Sequence, residues 1–133
     1  SPDGRWIAYS SDESGRQEVM IRSFPDDGPR KQVSTAGGES PSFSSDGKTL
    51  FYRLKDQLWA VPITTDPVLT IGPSSVVFEL SGVRAFTGLP NYVVTRAGDR
   101  VLAAKTLVDA TGAREIQVMV NWREQLRHRI PMR

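Results

Sequence analysis

One nine-residue pattern occurs twice in the chain almost unchanged. Ser44-Ser45-Asp46-Gly47-Lys48-Thr49-Leu50-Phe51-Tyr52 repeats Ser1-Pro2-Asp3-Gly4-Arg5-Trp6-Ile7-Ala8-Tyr9 at an offset of 43 residues, with Asp, Gly, a cation, a large residue and a Tyr in matching places. A worn third copy, Thr95-Arg96-Ala97-Gly98-Asp99-Arg100-Val101-Leu102, follows at an offset of 51 from Gly47 to Gly98. Spacings of about 40–45 residues match one four-stranded unit of a repeat protein, the blade of a β-propeller. Each Asp-Gly pair predicts a tight turn, because Gly lacks a Cβ and enters positive φ freely while Asp tolerates the left-handed region. The turns feed Leu50-Phe51-Tyr52 and Trp6-Ile7-Ala8-Tyr9, apolar runs rather than alternations, as expected of strands covered on both faces.

The rest of the chain fits strands around these turns. In the first copy, strands are expected over Arg5–Ser10, Gln17–Phe24 and Lys31–Ser34, the last polar enough for a sheet edge. Gly37-Gly38 reads as a flexible crossing to the second copy, whose strands are Pro41–Ser44, Lys48–Arg53, Gln57–Ile63 and Val76–Leu80, with a loop from Thr64 to Ser75. The third copy offers Asn91–Thr95, Arg100–Lys105 and Glu115–Val120. A short amphipathic helix follows, capped by Asn121, with Trp122, Leu126 and Ile130 four apart on one stripe and Pro131 ending it. The expected fold is thus all-β: a partial propeller of about three four-stranded antiparallel blades (residues 1–35, 36–81 and 82–120) and a C-terminal helix and tail over 121–133. The first blade lacks its innermost strand and the last its outermost. This predicts a segment of a larger ring whose remaining blades are its first partners, and which self-associates through open edges when isolated.

Composition narrows the chemistry. Among 133 residues there is no Cys, so neither a disulfide framework nor a thiolate metal site exists, and no run approaches the length of a membrane span. The net charge of +2 is carried by the tail, where Arg123, Arg127, Arg129 and Arg133 face Glu124, leaving 13 cations and 14 anions in residues 1–120. The body therefore offers no basic face for nucleic acid. A Ser-His-Asp triad needs a His in reach of a Ser; the single His, His128, lies among arginines, and there is no Gly-x-Ser-x-Gly elbow. Asp26-Asp27-Gly28 lacks the spaced ligands of a calcium loop, and Gly37-Gly38 lacks the Gly-Lys-Ser/Thr of a phosphate loop. No catalytic residue, metal site or cofactor is expected, and Trp6, Trp59 and Trp122 are read as packing residues.

Ser1-Pro2-Asp3-Gly4, Gly37-Gly38 ahead of Pro41, the Asp46-Gly47 turn, Val77-Phe78-Glu79-Leu80 followed by Tyr92, and the closing Asn121-Trp122-x-x-x-Leu126 together resemble TolB-like propeller repeats. The resemblance is to the C-terminal part of bacterial proteins in which such a propeller follows a serine/threonine kinase domain. The third copy departs from it, with Val93 and Ala97 where the repeats often carry Asp. The resemblance implies a non-catalytic interaction or sensing module, extracytoplasmic or periplasmic, that takes a protein or peptide ligand. Strand parity locates the binding surface. The loops between second and third strands and the crossings between blades gather on the rim opposite the Asp-Gly turns, which assigns Glu13, Arg16, Glu39, Arg84, Phe86, Asp109 and Arg114 to it. Two alternatives stand beside this reading: the substrate-gating propeller of a prolyl-oligopeptidase-type hydrolase, and nucleic-acid or anion binding through the arginine-rich tail.

Overall fold

The structure, a computed structural model, describes residues 1–26, 28–81, 92–95 and 100–103. The chain divides into two compact units, Ser1–Ser81 and Gly82–Arg133. Among the described residues every element is a β-strand and every pairing antiparallel. The first unit holds two sheets. One runs β1 (Trp6–Ser11), β2 (Glu18–Ser23), β3 (Lys31–Gln32), in register from Trp6↔Ser23 to Ser11↔Glu18. The other runs β4 (Glu39–Phe43), β5 (Thr49–Leu54), β6 (Gln57–Thr64), and β6 then pairs with both β7 (Thr70–Ile71) and β8 (Ser75–Glu79). In the second unit β9 (Tyr92–Val94) and β10 (Val101–Ala103) form a two-stranded ribbon.

The turns that define the repeat share one hydrogen-bond frame. Ser1 N–H donates to Trp6 C=O at 2.7 Å, Ser44 N–H to Thr49 C=O at 2.8 Å, and Thr95 N–H to Arg100 C=O at 2.9 Å. In the first two turns the Asp carboxylate accepts from the Ser hydroxyl and from the backbone N–H two residues on, Arg5 at 3.1 Å and Lys48 at 3.0 Å. The Ser hydroxyl in turn accepts from the N–H of Trp6 or Thr49 at 2.9 Å. Gly alone carries the positive φ, +70° at Gly4 and +69° at Gly47. This corrects the role expected of Asp: it orders the turn as an acceptor and stays out of the left-handed region, which among the described non-glycine residues only Ser40 and Lys55 enter. Between β9 and β10 the Thr95 hydroxyl likewise accepts from the backbone N–H five residues on, Arg100 at 3.2 Å.

The core lies between the two sheets. Val19 and Ile21 of β2, with Val33, meet Leu50 and Tyr52 of β5, Val61 and Ile63 of β6, and Leu69. Trp6, Phe43 and Trp59 close its margin, Trp59 stacking on Tyr52 at 6.3 Å between ring centroids. Each buried Leu, Ile or Val contributes about 1.5–3 kcal/mol. The residues alternating with these, Phe51 and Arg53 on β5 and Leu58 and Ala60 on β6, are buried as well, so both faces of β5 and of β6 as far as Val61 are withdrawn from water, while Pro62 and Thr64 are exposed.

Three expectations change. Val33 and Ser34, expected in a polar edge strand, are buried, and ladder register with β2 is kept only by Lys31 and Gln32, although Val33 N–H still donates to Val19 C=O at 2.8 Å. The loop after Thr64 contains β7, which extends the outer edge of β6. The Gly37-Gly38 crossing is pinned rather than flexible. Gly38 N–H donates to Gln17 C=O at 2.9 Å, and a Cβ on Gly38 would lie 2.8 Å from Tyr52 and 3.0 Å from Val19, so only glycine fits between the sheets. The strand expected over Glu115–Val120 and the helix and tail from Asn121 lie outside the described residues.

Candidate interaction rim

Antiparallel register sorts the connections of the first unit onto two ends. Ser11↔Glu18 and Leu54↔Gln57 close one end; Trp6↔Ser23 and Thr49↔Pro62 close the other, with both Asp-Gly turns. At the first end the loop 12–17, the crossing 35–38 and the turn Lys55-Asp56 come together. A Cβ on Gly37 would lie 3.2 Å from Leu54 Cδ1 and 3.8 Å from Arg16 Cδ, and Ser40 N–H reaches Ser10 Oγ at 3.2 Å. Of the residues assigned to this rim, Glu13, Arg16 and Glu39 are described and belong to it; Arg84, Phe86, Asp109 and Arg114 lie outside the described residues.

The rim is built from exposed charges held by buried partners. Glu18 begins β2 and is only 2% exposed, yet its carboxylate accepts from Ser34 Oγ, from Gly37 N–H at 3.1 Å and from Arg16 Nε at 2.7 Å. Burial by itself pushes the Glu18 carboxyl upward; the bonds from Ser34, Arg16 and Gly37, with the Arg16 charge, outweigh it and hold the group below the ordinary glutamate value. Arg16 also donates to Thr35 C=O at 3.0 Å while its side chain remains 58% exposed. Arg53 is the complementary anchor. Its side chain is 7% exposed, it donates from Nε to Lys55 C=O at 2.6 Å, and it lies 3.9 Å from Glu39 and 3.5 Å from Asp56, both exposed. Glu13 pairs with Arg30 at the rim's outer margin, beside a depression of about 240 Å³ that Glu18, Met20 and Gln32 help to line.

The sequence places Glu13, Arg16 and Glu39 at this end but does not single out Glu18, Arg53, Arg30 and Asp56, which the structure groups with them. Neither Glu18 nor Arg53 advertises its burial by residue type.

The opposite end carries a larger open groove of about 500 Å³ between the two turns, floored by Pro62 and Ile63 and bordered by Asp3, Asp46, Lys48 and Asp66. The Asp46 carboxyl is held below its ordinary value by the Ser44 hydroxyl and Lys48 N–H, and Asp3 likewise by Ser1 and Arg5, so both are committed to turn structure. Among the described residues no three His, Cys, Asp or Glu side chains are grouped to hold a metal ion, and no helix is long and apolar enough to cross a membrane. No family model and no curated protein matches the chain.

Proposed function

We propose that the chain is part of a TolB-like β-propeller and works as a non-catalytic protein- or peptide-interaction and sensing module, with recognition at the charged rim. The observation that supports the architecture is burial on both faces of β5 and of β6 as far as Val61. A sheet in a two-layer sandwich covers one face, whereas a blade between two neighbours covers both. Recurrence of one turn frame at Ser1, Ser44 and Thr95 supports the same reading.

The charge display supports recognition. A long charged side chain loses rotamer freedom when it binds, and a residue already held by a buried partner has lost most of it beforehand. Arg16 on Glu18, and Glu39 and Asp56 near Arg53, present one cation and two anions on such mountings. An extended peptide of mixed charge fits this pattern. By the resemblance, the module is extracytoplasmic, and any kinase domain belongs elsewhere in a longer protein.

The test is selection of a phage-displayed random peptide library on the immobilised 133-residue chain. Enriched peptides are expected to bind at least tenfold more weakly to Arg16→Glu and Glu39→Lys variants that keep the wild-type circular dichroism, about 1.4 kcal/mol. Asp3→Asn and Asp66→Asn, at the other end, are expected to leave binding unchanged. Absence of any enriched peptide, or binding that follows the turn-end variants and ignores the rim, refutes the rim as the recognition surface. An experimental structure in which the sheets do not stack about an axis refutes the propeller.

A further inference from the structure

Each of the two Ser-x-Asp-Gly turns contains a peptide bond that is chemically exposed to rearrangement. The glycine amide nitrogen can attack Cγ of the preceding aspartate. A C–N bond forms, the nitrogen gives up its proton, the carboxyl gives up its hydroxyl, and the two leave as water. The five-membered succinimide then takes up one water and opens at either carbonyl, to aspartate or to isoaspartate, whose main chain runs through the side-chain carbon. Glycine favours the attack because no Cβ crowds its nitrogen. Three conditions must be met: a neutral carboxyl, since oxide does not leave, an N–H free of other engagements, and a side chain free to swing over the backbone.

Both turns deny all three. Asp46 Oδ1 accepts from Ser44 Oγ at 2.6 Å and from Lys48 N–H at 3.0 Å; Asp3 Oδ1 accepts from Ser1 Oγ and from Arg5 N–H at 3.1 Å. Each side chain is thereby tied to a residue on either side of it. The same bonds, the Ser hydroxyl foremost, hold both carboxyls below the ordinary aspartate value and so in the ionised, unreactive form. The attacking nitrogen is engaged as well: Gly47 N–H donates to Ser44 C=O and Gly4 N–H to Ser1 C=O, both at 3.0 Å. Enclosure plays no part. Asp3, Gly4 and Asp46 are exposed, and a Cβ on Gly47 would meet no atom nearer than 3.7 Å and one on Gly4 none within 4 Å. Water and space are available at both bonds, and hydrogen bonding is what restrains them.

We propose that Asp46 and Asp3 are latent isoaspartate sites, and that the Ser hydroxyl two residues ahead of each is the guard that keeps its Asp-Gly bond intact. The modification would strike the fold at its repeat. Isoaspartate adds one main-chain carbon between Ser44 and Thr49, whose N–H to C=O bond of 2.8 Å closes the turn. The serine therefore has a chemical duty beside its structural one. The inference rests on the turns alone and stands apart from the rim and its ligand.

The experiment incubates the full chain and a Ser44→Ala variant in water enriched in heavy oxygen near pH 5, about one unit above the unfolded aspartate value. Circular dichroism establishes that the variant is folded, and peptide mapping reads isoaspartate and label uptake at each turn. In the wild type, Asp3 and Asp46 are expected to stay intact in buffer and to react faster in urea, which releases both turns. In Ser44→Ala, Asp46 is expected to isomerise about tenfold faster than in the wild type, the effect of one pKa unit on the neutral fraction, while Asp3 stays slow. Ser44→Thr, which keeps a hydroxyl of the kind Thr95 uses toward Arg100 N–H, is expected to keep the wild-type rate. Should Ser44→Ala lose its fold, Ser1→Ala puts the same question to Asp3, with Asp46 as its internal reference. Wild-type isomerisation as fast in buffer as in urea overturns the proposal. So does a folded variant whose altered turn is no more reactive than before, or one in which both turns accelerate equally, which traces the reaction to global opening.

Discussion

Replacing Glu18 by Gln keeps the side chain's volume and changes only what it accepts and donates. In the native chain one carboxylate oxygen receives Arg16 and the other receives Ser34 Oγ and Gly37 N–H. An amide can satisfy one side only. With its oxygen toward Ser34 and Gly37, its NH₂ faces the Arg16 guanidinium, donor against donor. Arg16 is 58% exposed and can turn to water at small cost, but the two remaining bonds lose their charge assistance. The expected loss is about 2 kcal/mol. Glu18→Ala strands Gly37 N–H as well and opens a cavity, for about 4 kcal/mol, while Arg16→Ala costs under about 1 kcal/mol. Urea unfolding at pH 7 measures all three, and the order Ala, Gln, then Arg16→Ala is the prediction. Because the folded-state value of Glu18 is depressed, its contribution is complete above the unfolded glutamate pKa of about 4.3 and is lost as pH falls through the lower folded value. The gap between wild type and Glu18→Gln should therefore close below about pH 4. A Glu18→Gln variant within about 0.5 kcal/mol of wild type at pH 7, or a gap that widens in acid, would refute the reasoning.

Gly38→Ala forces a Cβ to 2.8 Å from the Tyr52 ring and 3.0 Å from Val19; it should cost about 1–3 kcal/mol in the same unfolding assay and weaken the near-ultraviolet signal of the Tyr52–Trp59 stack. Gly47→Ala meets no atom nearer than 3.7 Å but must hold φ near +69°, so backbone strain partly offset by a stiffer unfolded chain predicts a loss of about 1 kcal/mol. Gly4→Ala, at the equivalent position with no atom within 4 Å, should match it; a difference above about 1 kcal/mol between the two would mean that the turns are not equivalent. Leu58→Ala removes a side chain with no exposure from the face opposite the main core and should cost about 2–5 kcal/mol, whereas a loss below about 1 kcal/mol would show that this face is not packed.

What the chain reveals without coordinates is whatever neighbouring residues decide among themselves. The Ser-x-Asp-Gly turns close through bonds spanning two to five positions, and strand alternation has a period of two, so the turns, nine of the ten strands among the described residues to within about two residues and the β3 edge position are legible in order. Parity then carries Glu13, Arg16 and Glu39 to one rim, because it only counts reversals of direction. The remainder depends on contacts between distant parts of the chain. Glu18 is an anchor because Ser34 and Gly37, 16 and 19 residues on, are brought back beside it. Gly38 must be glycine because Tyr52 and Val19 approach from two different sheets. Val33 and Ser34 are buried, and Thr70 and Ile71 find β6, because packing and edge hydrogen bonds across the fold outweigh their local polarity and loop setting. Local chemistry thus dictated where this chain turns and extends, and only the approach of sheet to sheet decided which charges are buried to hold the others outward.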